Sequence, residues 1–111
     1  MMIVEAAMLQ VKRGLENEFE NAFQEASSII SSMKGYQGHT LHKCIEATGK
    51  YLLLVNWETL EDHTEGFRKS SEYEEWKKRL HHFYEPFPIV EHFRHVELGG
   101  KKAKNLFRET E

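Results

Sequence analysis

Between Asn56 and Trp76 the chain gathers an amide, a histidine and four large aromatic side chains: Asn56, Trp57, His63, Phe67, Tyr73 and Trp76. These are the parts needed to take a proton from a bound organic molecule and to hold the anion that results. An imidazole with an ordinary pKa near 6.5 serves as a base around neutrality, provided the proton lies within hydrogen-bond reach. His63 is therefore the candidate catalytic group. Asn56 is the candidate polar anchor, and Trp57, Phe67, Tyr73 and Trp76 are candidate apolar walls. The same residue types also make a helix histidine bonded to a carbonyl and a packed aromatic core, and residue identity alone does not choose between these readings. Asn56 and Trp57 are neighbours on a strand and so face opposite ways, and only one of them can look into a given cavity unless the strand end twists.

The other histidines offer no local metal site. "HTLH" and "HFRH" each place two histidines three apart on a strand, which sends them to opposite faces, and His81 and His82 diverge by about 100° on a helix. No resident metal is expected. The chain has no phosphate-binding glycine loop, no Ser-His-Asp set and no basic aromatic platform, and its net charge of -3 attracts neither nucleic acid nor an anionic membrane. Its single cysteine, Cys44, suits a reducing compartment. The apolar start, Met1 to Met8, is interrupted by Glu5 and lacks the flanks of a signal peptide or a membrane span, so a cytoplasmic location is expected.

Elements that could position the candidate groups are legible in the hydrophobic period. Residues 2–11 alternate as a first strand, with Val4, Ala6 and Met8 opposite Ile3, Ala7 and Leu9, and with Glu5 out of pattern. From Leu15 to Met33 the period becomes helical, with Phe19, Ala22, Phe23, Ala26 and Ile30 on one face. Gly35 suits the helix end and Gly38 a turn, after which "HTLHKCIE" and "YLLLVNWE" form a hairpin across "ATGK". Thr59 with Asp62, and Ser71 with Glu74, have capping-box spacing, which predicts a short helix over 60–69 and another over 72–84. In the first of these, Leu60, His63 and Phe67 share a face. "IVEHFRHVEL" is the last strand. The order βαββαβ predicts a ferredoxin-like α+β domain over 1–98, its first and third strands central, followed by a basic, flexible tail over 99–111.

Both faces of the first and third strands are apolar, whereas helices can cover only one. An uncovered apolar face of that size is rare on a monomer, so sheet-on-sheet packing in a homodimer is expected.

The element order, "GYQGHTLHK" entering the second strand, "NWETLEDH" leaving the third, and the long segment "SSEYEEWKKRLHHFYEPFPIVEHF" together resemble the antibiotic biosynthesis monooxygenase family, over roughly residues 2–98. The resemblance implies a dimeric α+β barrel with a pocket between sheet and helices. It also implies, for some members, oxygenation of phenolic or quinol-type aromatics by O2 without metal or flavin. A haem-degrading branch of the same superfamily uses an Asn, a Trp and an iron-ligating His, whose positions fall here on Ala7, near Gly66, and near Trp76 or Lys77. Those groups are missing, which leaves haem as the alternative cofactor reading. A non-catalytic small-molecule-binding stress protein on the same fold is the other alternative.

Overall fold

The computed structural model describes residues 2–99, and the predicted tail lies outside the described residues apart from Gly99. Strand β1 runs Ile3–Gln10, helix α1 Glu16–Ser31, β2 Tyr36–Lys43, β3 Lys50–Trp57, α2 Ser71–Leu80 and β4 Val90–Arg94. A π-helical turn, Asp62–Phe67, precedes α2, and a 3-10 turn, His81–Phe83, follows it. The four strands form one antiparallel sheet in the order β2-β3-β1-β4. This is the ferredoxin-like α+β arrangement, with β1 and β3 at the centre as the strand patterns predict.

Alternation assigns the two faces. Ala7, Leu9, Val11, Tyr51, Leu53, Val55 and Trp57 are buried on the helix side, where they meet Phe19, Phe23, Ala26 and Ile30 of α1 and Trp76 and Leu80 of α2. The opposite side carries Val4, Ala6, Met8, Leu52, Leu54 and Asn56. Met8 there is 48% exposed, and Phe93 of β4 is 52% exposed. The apolar character of both faces is thus a property of the fold, and the outer face is bare in the single chain.

Several boundaries differ from expectation. Strand β2 starts at Tyr36, because Gly38 is a bulge residue rather than a turn: its φ of 141° lets the register jump between Tyr36 and Gly38 while pairing with β3 continues. The expected helix over 60–69 becomes mostly a π turn, closed by the Arg68 N–H on the His63 carbonyl at 3.0 Å. Its start has the reciprocal box read from the spacing: Asp62 N–H donates to Thr59 Oγ1 at 3.1 Å, and Thr59 N–H donates to Asp62 Oδ2 at 3.2 Å. The wider turn keeps His63 and Phe67 buried but leaves Leu60 exposed, so the expected three-residue face is a two-residue one. The cap of α2 is Ser70, not Ser71, with its Oγ accepting from Tyr73 N–H at 3.1 Å. At Gly35, φ is +84° and a Cβ would overlap the Asp62 carboxylate, so the end of α1 rests directly on the capping box that starts the π turn.

Candidate functional site

A cavity of about 350 Å³ lies between the helix side of the sheet and the helical segments that follow β3. Its floor is Glu5, Ala7 and Leu9 of β1 with Leu53 of β3. Its walls are His63, Phe67 and Arg68 from the π turn and its end, Tyr73 and Trp76 from α2, His81, Tyr84, Phe87 and Pro88 from the segment leading into β4, and Val90 at the start of β4. The rings pack edge to face, Phe67 on Tyr73 at 5.2 Å between centroids and Phe67 on Trp76 at 5.8 Å, which makes one stiff aromatic wall.

Glu5 and His63 belong to a chain of four polar side chains that continues behind the cavity wall. Trp57 Nε1–H donates to Glu5 Oε1 at 2.9 Å, and His63 Nε2 lies 3.3 Å from the same oxygen. His63 Nδ1 is 2.8 Å from His92 Nε2. The sheet explains the meeting: Glu5 pairs with Val55 on one side and with His92 on the other, so Glu5 and His92 face the helices together. The indole of Trp57 stacks on the His63 imidazole, with centroids 5.5 Å apart and 19° between planes, which fixes the ring that the π turn delivers. Glu5 is 7% exposed and His63 3%. Glu5 Oε2 has no protein partner among the described residues, and no fully buried polar side-chain atom among them lacks one. Oε2 is therefore the oxygen open to the cavity.

Burial governs the charges. It raises the Glu5 pKa above 4.5, and the Trp57 hydrogen bond and the Arg68 charge only partly oppose it. Burial, then the cation of Arg68, then His92, push His63 down from 6.5 to about 3, so its ring is neutral at physiological pH. His92 is lowered by burial and by Arg68, and His81 by burial and by Lys77. Burial thus works against charge on Glu5 and on both histidines.

Of the residues singled out by sequence, His63, Phe67, Tyr73 and Trp76 come together on the cavity. Asn56 does not: it points to the outer face of the sheet, opposite Val4 and Gly38, because Trp57 takes the helix side. Trp57 is fully buried behind Glu5 and His63 and does not line the cavity, so it corrects from wall to support. Glu5, Arg68, His81, Tyr84 and His92 were not among the expected site residues. Glu5 alone had left a trace, as the acid that interrupts an apolar strand.

The antiparallel sheet in the order β2-β3-β1-β4 with its helices on one face makes this an α+β protein of the ferredoxin-like class. The chain belongs to the antibiotic biosynthesis monooxygenase family, whose family model matches residues 2–79. Among proteins it resembles, the Bacillus subtilis (strain 168) protein YczJ, described only as uncharacterized, is 70% identical over 95 residues, covering 86% of this chain and all of that one. A crystal structure of a proposed antibiotic biosynthesis monooxygenase from Bordetella bronchiseptica has a TM-score of 0.83 and 35% identity, covering 86% of this chain and 98% of that chain. SnoaB, a cofactor-independent oxygenase from Streptomyces nogalater, shares the fold at a TM-score of 0.70 with 16% identity, over 89% of this chain and 98% of that one. The family match ends before His81, Tyr84 and His92.

Proposed function

We propose that the chain is a monooxygenase that inserts oxygen from O2 into a small phenolic or quinol-type aromatic held in the cavity, without a metal or organic cofactor. The observation that carries this reading is Glu5 Oε2, a carboxyl oxygen with no protein partner among the described residues, facing an aromatic-walled cavity. Glu5 accepts the substrate proton, backed by His63. The base role that sequence reasoning gave to His63 thus passes to a pair, since both ring nitrogens of His63 already face protein groups. Phe67, Tyr73 and Trp76 hold the rings, and Arg68 at the rim stabilises the anion.

The electron balance requires nothing else. Converting a ring CH2 of an anthrone-like substrate to C=O gives up four electrons, the number that O2 needs to supply one carbonyl oxygen and one water. Deprotonation makes the ring electron-rich enough to pass one electron to O2. Recombination forms a C–O bond to a peroxide, and loss of the remaining C–H proton with departure of hydroxide gives the carbonyl. The protein contributes the base, the orientation and the exclusion of bulk water.

Two copies pack through the bare outer face of the sheet, where Met8, Ile89 and Phe93 are exposed. Light scattering coupled to size-exclusion chromatography checks this, and a monomer at micromolar concentration removes it. Haem has less support: His63, one of the two histidines lining the cavity, has both nitrogens engaged, and the positions of the degrading motif fall on Ala7, near Gly66, and near Trp76 or Lys77.

The test is oxygen uptake by metal-free protein against a panel of quinols and anthrones, with product analysis. Uptake above autoxidation that disappears in Glu5→Gln supports the proposal. No uptake with any panel member removes it in favour of a binding protein.

A further inference from the structure

A carboxyl group that already carries its proton on one oxygen can take a second on the other only if the first leaves at the same time. The structure provides a way out. Glu5, His63 and His92 form an unbroken chain from the buried cavity floor to β4, where His92 is half-buried and in reach of solvent.

We infer that Glu5, His63 and His92 are a proton relay, which carries the substrate proton from the cavity to the edge of the sheet and returns it once the peroxide has formed. The inference rests on the reading of the cavity as an oxygenation site. In the resting chain Glu5 carries its proton on Oε1, directed at His63 Nε2, and His63 carries its proton on Nδ1, directed at His92 Nε2. When the substrate hands a proton to Glu5 Oε2, the Oε1 proton passes to His63 Nε2 and the Nδ1 proton passes to His92 Nε2. One O–H and one N–H break as two N–H bonds and one O–H bond form, with the third proton leaving the substrate. Glu5 and His63 end neutral, His92 becomes a cation and the substrate an anion. No electron crosses the chain.

Trp57 Nε1–H keeps Oε1 in line by donating to it, and its ring holds the imidazole plane by stacking. The groups facing His92 are Glu5 from β1, His63 from the π turn and Arg68 from its end. The Arg68 cation and burial both disfavour a lasting charge on either histidine, which suits a carrier that must give its proton back. His92 does not reach the substrate and acts only through the other two.

Two readouts test the relay. In wild-type protein, 15N spectra of the imidazoles should show His63 with its proton on Nδ1 and neutral from pH 8 down to about 4, coupled across the Nδ1–H···Nε2 bond to His92. In kinetics, His92→Gln should lower kcat for oxygen uptake by about tenfold or more, less than the roughly 10²–10⁴-fold of a general base, with KM unchanged. Added imidazole should restore part of the rate, and His42→Gln, on an exposed part of β2, should match wild type. A His63 proton on Nε2, or a His92→Gln enzyme as fast as wild type, overturns the relay. Absence of turnover in wild type itself is the separate failure of the oxygenation reading, and the tautomer then decides alone.

Discussion

His39 and His63 both have each ring nitrogen engaged, yet only one sits in a site. His39 Nε2 faces Ser27 Oγ at 3.2 Å, its Nδ1 faces the Tyr36 hydroxyl, and Ser27 donates its own proton to the Phe23 carbonyl at 2.9 Å. That trio looks like a serine–histidine pair with an orienting group, but the serine proton is committed to the backbone, and none of the three lines the cavity. It ties β2 to α1. Around His63 the chain instead contains a carboxyl with one oxygen left open, and that oxygen meets a cavity. A histidine network does chemistry where it has a free acceptor lone pair facing a space, and structure where it has none.

The contrast is broken most sharply at Glu5. Glu5→Gln keeps the side-chain shape and an oxygen for Trp57, so turnover should fall about 10²–10⁴-fold with the fold intact. Ser27→Ala should leave oxygen uptake at the wild-type rate. A Ser27→Ala enzyme that loses turnover would mean that the wrong histidine has been assigned to the chemistry.

Acid stability distinguishes the two regions next. The folded state holds the His63 pKa at about 3 against 6.5 unfolded, so between those values the unfolded chain binds more protons and stability falls as pH falls. Glu5 works the other way: its raised pKa contributes stability that is full below about 4.5 and fades as pH rises through the folded value. Denaturant midpoints measured from pH 7 to pH 4 should therefore drop in wild type, drop less in His63→Gln, and drop more steeply in Glu5→Gln. Equal slopes in all three would separate the pair from the acid limb.

Trp57→Phe should cost about 1–3 kcal/mol in urea unfolding, because it removes the donor to a buried carboxyl as well as packing volume. The smallest effect belongs to the His39 trio, where Ser27→Ala should cost about 0.5–1.5 kcal/mol, the net value of one partly buried hydrogen bond.

The elements were largely legible because each is governed by a local period. The stripe from Leu15 to Met33 became α1, the apolar alternation became central strands, and Thr59 with Asp62 became a real capping box. Errors came where local geometry has near-equal solutions: Ser70 and Ser71 are both good caps, and Gly38 serves a bulge as well as a turn. The site was legible only in part. His63, Phe67, Tyr73 and Trp76 lie within 14 residues and could be read together. Alternation told that Asn56 and Trp57 oppose one another, but not which of them the helices cover. Glu5 and His92 meet through the register of β1 with β4, a long-range pairing that no local pattern reports. A lone acid in an apolar strand was the one available sign that the floor of a site was there.

Phe87 and Pro88 belong to two surfaces at once. They line the cavity, and with Pro86, Ile89 and Phe93 they also line the trough on the outer face of the sheet. The segment is a partition shared by the two spaces, so a molecule laid against the outside and a molecule held inside both meet Phe87. The shape available to the inner occupant is then set partly by what lies beyond the wall, and enlarging or trimming Phe87 alters both compartments in a single substitution.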